Sequence, residues 1–256
     1  MKVHGYAAIA LAMLTLTPAR AMVGGAPAAT DGPSRSVLMI LGDGGTVCTS
    51  TAIARDLLLT ASHCVLPGSE YKLLLGAPSE HPLLKDITRI ERDPQFDLKR
   101  LFGHLATADV ALLKLAEPLP AKVPAMPLGA EEEPVAVGDA LVVAGYGVTV
   151  RGDGRTAGTL RAATLVAIGQ PGTLQIRLVD PKTKDDSHGL GACAGDSGAP
   201  VLRDKDGRTV IIGVVSWSTG PKLTGGCGGL TGVTPLSRYR AWIIDTARAL
   251  GSPLVP

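Results

Sequence analysis

Three short stretches of the chain hold side chains whose types suit acyl transfer. Residues 191–200 read GACAGDSGAP and set Ser197 between Gly195-Asp196 and Gly198. Glycines on both sides let the backbone turn sharply and approach a ligand closely. Such a turn can expose the hydroxyl and aim the amides of Gly195 and Ser197 at a developing oxyanion. Taken alone, the stretch is also what an ordinary Gly-Ser turn looks like. It is not the G-x-S-x-G elbow of the α/β-hydrolases, because position 199 is Ala. A serine hydroxyl needs a base, and the base needs an orienting acid. Residues 57–64, LLLTASHC, end an apolar run with His63 beside Cys64, and residues 107–115, TADVALLKL, set Asp109 at the head of another. A lone His of this kind is more often structural than catalytic, and an Asp there could merely cap a turn. His81, His104 and His188 have no comparable context, and His4 lies near the N-terminus.

The elements that must carry these residues are mostly strands. Short apolar runs recur at 37–41, 56–61, 71–76 and 109–115, and again at 140–147, 163–169, 173–179 and 209–217. Each has strand length, and Gly, Pro or Asp punctuates the gaps. No helix-length amphipathic segments separate them, which disfavours a parallel βαβ sheet. Abundant Gly (32 residues) and scarce aromatics (3%) point the same way. Between the two groups lies 117–134, EPLPAKVPAMPLGAEEEP, whose five prolines favour extended backbone and mark a connection between lobes. One amphipathic helix is expected, over about 236–250, where Leu236, Tyr239, Trp242, Ile243, Ala247 and Leu250 recur at spacings of three and four. A chain of 256 residues can bury one or two ordinary cores.

The N-terminus combines Lys2, the apolar run 6–17 (YAAIALAMLTLT) and small residues at Ala19 and Ala21. That is the layout of a secretory signal peptide over 1–21, cleaved after Ala21. The run is too short to span a bilayer, and the alternative is a buried N-terminal helix. The formal charge of +2 disappears with Lys2 and Arg20 of that leader. A neutral remainder gives no reason to expect nucleic acid or an anionic membrane as partner. Four cysteines, Cys48, Cys64, Cys193 and Cys227, suggest two disulfides in an oxidising compartment, with three connectivities open. None forms a C-x-x-C pair and no His stands at finger spacing, so no structural zinc is expected.

Together the motifs carry more than they do singly. TASHC resembles the T-A-A-H-C of the chymotrypsin-like (trypsin-fold) serine proteases, ADVALLKL their D-I-A-L-L-x-L, and GDSGAP their G-D-S-G-G-P, and the order His, Asp, Ser is theirs too. The resemblance covers nearly all of 22–256 and is to secreted, bacterial-type members. It implies an all-β peptidase domain of two six-stranded antiparallel barrels: one over about 30–116, the linker 117–134, a second over about 135–235, then the helix. Ser197 would be nucleophile, His63 general base and then acid, Asp109 the group that orients His63, and the amides of Gly195 and Ser197 the oxyanion hole. The pairings implied are Cys48–Cys64 and Cys193–Cys227. Ser216 would reach toward Asp109, and the VVSWS segment would offer an edge to extended peptide. The expected partners are protein or peptide substrates, with no cofactor, no metal, no membrane anchor, and a monomeric, secreted state. Glu70 and Glu80 are too few acids for a calcium loop. The alternative is a catalytically inactive binding protein on the same fold.

The resemblance also places the floor of the primary pocket at Gly191 and its walls at Ser218 and Gly232, with Ser216 and Trp217 alongside. An uncharged floor implies uncharged P1 side chains, small or medium aliphatic before aromatic, and poor cleavage after Arg or Lys. The segment 218–227, STGPKLTGGC, is longer than the family's usual loop and is expected to reshape the rim or bring Lys222 near an acidic P1 side chain. Family members begin I/V-V-G-G once activated, and the matching start is Met22-Val23-Gly24-Gly25. The export cut and the activating cut then fall on one bond, and the Met22 ammonium would pair with Asp196.

Overall fold

The strand-length runs close into two barrels in the computed structural model, which describes residues 22–30, 32–76, 82–130, 134–169 and 174–254. The leader 1–21, Glu80 and His81 lie outside the described residues. The first barrel is built from β1 (Val37–Gly42), β2 (Val47–Ala54), β3 (Leu57–Thr60), β4 (Tyr71–Leu75), β5 (Leu83–Arg92) and β6 (Ala111–Leu115). Its hydrogen-bonded order is β1-β2-β3-β6-β5-β4, closed by β1 against β4. The second uses β7 (Ala140–Gly145), β8 (Arg161–Ile168), β9 (Ile176–Val179), β10 (Pro200–Lys205), β11 (Arg208–Ser218) and β12 (Thr231–Pro235). Read from β7, its order is β7-β8-β9-β12-β11-β10, the same topology repeated. All pairings within the barrels are antiparallel. The two six-stranded antiparallel barrels expected from the resemblance are therefore present.

Uninterrupted apolar runs arise where a strand serves two cores. Along β3, Leu58 packs with Leu38, Ile40, Leu73 and Leu113 inside the first barrel. Its neighbours Leu57 and Leu59 point the other way and join Val110, Leu112, Val214 and Ile243 in a cluster shared by both barrels. Side chains alternate across a strand, so both faces must be apolar when both are buried. The second barrel's interior is smaller in grain, with Leu141, Val143, Ala163, Leu165, Ile176, Val201 and Val233.

The C-terminal segment differs from expectation at its start. Residues Ser237–Tyr239 form a 3-10 turn, and the α-helix proper, α2, runs Arg240–Ala249. Tyr239, Ile243, Ala247 and Leu250 cover the seam between the barrels, with Trp242 partly buried against it. A five-residue helix, α1 (Leu98–Phe102), was not marked by the sequence pattern; the Asp97 side chain caps it by accepting the Lys99 and Arg100 amides. The Pro-rich connection is laid along both barrels: the Met126 amide donates to the Ala52 carbonyl at 2.8 Å, and the Ile211 amide to the Pro127 carbonyl at 2.9 Å.

Thr49 of β2 ties the first barrel to the turns of the second. Its amide donates to the Ser197 carbonyl and its Oγ1 to the Gly195 carbonyl, each at 2.8 Å, while Oγ1 accepts the Tyr146 amide at 3.1 Å. Replacing Thr49 by Val keeps the shape and leaves the Tyr146 amide and Gly195 carbonyl unpaired. Each such group costs about 1–3 kcal/mol, so denaturant unfolding of Thr49→Val should show a loss of about 2 kcal/mol or more. A negligible shift would mean that water satisfies both groups.

Candidate active site

His63 lies in a 3-10 turn, Ser62–Val65, just beyond the end of β3. Both neighbours are fixed: Ser62 Oγ donates to the Val110 carbonyl at 2.7 Å, and Cys64 is disulfide-bonded to Cys48 of β2. Asp109 stands two residues ahead of β6, where its amide bonds back to Thr107 and that of Val110 to Ala108, each at 2.8 Å. The Asp109 side chain is fully buried. Its Oδ1 accepts the His63 backbone N–H at 3.0 Å; its Oδ2 lies 2.7 Å from His63 Nδ1 and accepts Ser216 Oγ at 2.5 Å. A carboxylate against Nδ1 keeps the hydrogen on that nitrogen and leaves Nε2 as an acceptor.

Ser216 reaches Asp109 because β11 is irregular there. The register with β12 slips between Val215 and Trp217, leaving Ser216 as an extra residue. A bulge of this kind re-aims a side chain, here from the second barrel onto a carboxylate of the first.

Ser197 is carried on the turn that enters β10. The Asp196 amide bonds to the Cys193 carbonyl at 3.0 Å and the Ala199 amide to the Asp196 carbonyl at 2.9 Å. Gly195 and Gly198 have φ of +95° and +78°, where a side chain would be strained. A Cβ on Gly198 would also strike Thr60 and Thr49 and lie 2.9 Å from the Ala61 nitrogen. The residue after Ser197 thus abuts the strand end that leads into His63. Among the described residues no acceptor takes the Gly195 or Ser197 amide, and no hydrogen bond joins Ser197 Oγ to His63. Hydrogen bonds of this kind are often long without a ligand and tighten only around substrate.

Beside Ser197 opens a cavity of about 320 Å³. Its lining includes Val215, Trp217 and Ser218 of β11, Cys193 and Ala194 of the segment before Ser197, and Gly226 and Cys227, with Cys193 and Cys227 joined by a disulfide. Gly191 and Gly232, expected as floor and wall, are not among the residues lining this cavity. Gly191 bridges to Val23 and packs on Gly228, while Gly232 sits under the Trp217 ring, which fills the space a Cβ would need. Lys222 points at Asp186, 3.7 Å away, and is not among the residues lining the cavity. Arg151 is, from a loop that no sequence pattern singled out. His104 likewise acquires its context only in three dimensions, stacked on Trp217 with ring centroids 4.6 Å apart.

A second buried carboxylate supports the turn from behind. Asp196 is fully buried and accepts the Gly147 amide at 2.8 Å and the Cys193 amide at 2.9 Å. A side chain at position 147 would collide with it, so Gly is required there. No cation lies within ion-pairing distance among the described residues, and burial pushes the Asp196 carboxyl up to about 7, against the partial opposition of the two amides. Met22 is fully buried among Leu141, Val143, Ala192 and Ala199, and Val23 forms an isolated bridge with Gly191, so the segment from Met22 meets the stretch that leads to Asp196.

Comparison with known families adds one finding. The family model described as Trypsin matches residues 22–243. Its first matched residue is Met22.

The buried acid has a consequence for stability. With Met22 still in peptide linkage, the folded chain holds Asp196 protonated up to about pH 7, whereas the unfolded chain ionises it from 3.8 upward. The associated stability is fully present below 3.8 and is lost as pH rises through about 7, a fall of roughly 4 kcal/mol. Thermal unfolding of N-terminally extended Ser197→Ala protein between about pH 4 and pH 8 measures this, and adding Asp196→Asn should flatten that part of the profile.

Proposed function

The chain belongs to the trypsin family, and on that premise we propose that it is an active, secreted serine endopeptidase. The observation that best supports the reading is the buried Asp109 carboxylate, held by donors from both barrels beside His63, with Ser197 on the adjoining turn. In this reading Ser197 Oγ attacks the scissile carbonyl carbon and His63 Nε2 takes the hydroxyl proton. Asp109 holds the imidazole in the required tautomer and stabilises the imidazolium that forms. The tetrahedral oxyanion accepts from the Gly195 and Ser197 amides, each such donor being worth about 3–4 kcal/mol at the transition state. Collapse transfers the proton from His63 to the leaving amine, and water repeats the sequence to free the acyl group.

Peptide substrate has an edge to lie on. β10 pairs with β11 only as far as Val214, so the backbone of 216–218 is unpaired on that side and can accept an added strand. The cavity beside Ser197 has no carboxylate among its lining residues, which supports poor cleavage after Lys or Arg and acceptance of uncharged, small or medium aliphatic side chains.

Export and activation are one event in this reading. Signal cleavage after Ala21 frees the Met22 ammonium next to the segment that carries Asp196, and pairing supplies the cation that the buried carboxylate otherwise lacks. The two disulfides and the fold support an extracellular location, and no helix among the described residues is long and apolar enough to cross a membrane.

A fluorophosphonate should label the processed protein and not Ser197→Ala, and the processed protein should degrade an unfolded protein such as casein. Asp109→Asn should lower kcat about 10⁴-fold with the fold intact. Folded, processed protein that takes no label would instead be a binding protein on this fold. N-terminal sequencing of the secreted, active form should begin at Met22; a start at Ala26 would overturn the coupling of export to activation.

A further inference from the structure

Arg151 is the only charged residue among those lining the cavity beside Ser197. It lies in the loop between β7 and β8, and its Nη1 donates to the Gly225 carbonyl at 2.6 Å across the rim. Glycines at 225 and 226 let it lie close; a Cβ at Gly226 would stand only 3.2 Å from Nη1. The charge is not neutralised by neighbours. Asp153, two residues on, is engaged by Arg155 at 2.9 Å, and Asp186 faces Lys222. Among the described residues no carboxylate lies within ion-pairing distance of Arg151. The bond to Gly225 uses one donor of a planar fork that has five, and such a fork matches a carboxylate.

We propose that Arg151 makes this pocket select P1 side chains that end in a carboxylate. The inference rests on the endopeptidase reading and extends its account of the pocket: neutral walls take the methylenes, and the rim guanidinium takes the terminal group. A charge-assisted hydrogen bond at a partly exposed rim corresponds to about tenfold in kcat/KM for P1 Glu over the isosteric Gln.

Peptides identical except for Glu, Gln, Leu or Lys at P1 test this, with rates normalised to fluorophosphonate-titrated sites. The Glu/Gln ratio should be about tenfold at low salt and fall as salt is added, with Lys the poorest. Arg151→Gln should bring the ratio to about one, and Arg151→Lys should retain part of it. The ratio is taken within each protein, so it does not depend on how much of a variant folds. A wild-type ratio of one with Leu still cleaved, or a ratio unmoved by Arg151→Gln, overturns the assignment to Arg151 and leaves the endopeptidase reading standing. Absence of both labelling and cleavage overturns the two together.

Discussion

The carboxylate of Asp109, fully buried where the two barrels meet, is the interaction on which the rest of the site depends. Taking a carboxylate out of water costs several kcal/mol unless donors replace the lost hydration. Here the donors come from both sides of the seam: the amide and ring of His63 from the first barrel, the hydroxyl of Ser216 from the second. The two halves must therefore dock in one register for the charge to be tolerated. The apolar cluster of Leu57, Leu59, Leu112, Val214 and Ile243 supplies the docking force and keeps water from that register. Thr49 fixes the other component, holding the carbonyls of Gly195 and Ser197 against β2.

Asp196 shows what happens when the donors are fewer. It is as buried as Asp109, yet among the described residues its partners are two backbone amides and no side chain. Two amides do not offset full desolvation, and the acid is held toward its neutral form. A group in that condition responds strongly to any cation placed beside it. The amides proposed to bind the oxyanion lie on either side of Asp196 in sequence. The protonation of one buried acid is thereby linked to the geometry of the turn that carries Ser197.

The three groups proposed to react were legible in the sequence because each sits in a local motif whose neighbours are also constrained: His63 beside a disulfide, Asp109 ahead of an apolar strand, Ser197 between glycines. Four strands were not. β2 carries Thr49, Ser50 and Thr51 fully buried, their hydroxyls bonded or packed inside, so polarity hid a core strand. β5, LLKDITRIER, is largely solvent-facing and carries charges throughout. β10 turns polar after three residues, and β12, TGVTP, reads as a turn although every residue of it is buried. The pocket was least legible of all. Which glycines shape it depends on packing that no motif encodes, such as the Trp217 ring lying on Gly232, and the cation at the rim comes from a loop more than 40 residues earlier in the chain than Ser197.

That last difference follows from how the fold divides its work. The barrels repeat one strand order, and neither contains the site alone; it exists only along the seam, under constraints spread over both cores. The rim of the cavity is different in kind. Arg151, Gly225 and Gly226 lie in loops of the second barrel, joined to one another by a hydrogen bond rather than by the shared core. The Cys193–Cys227 disulfide anchors this rim to the turn that carries Ser197, so a rim residue can change what the pocket accepts without moving the seam. A substitution at Thr49 or Ser216 has no such freedom, because each satisfies a buried group of the opposite barrel.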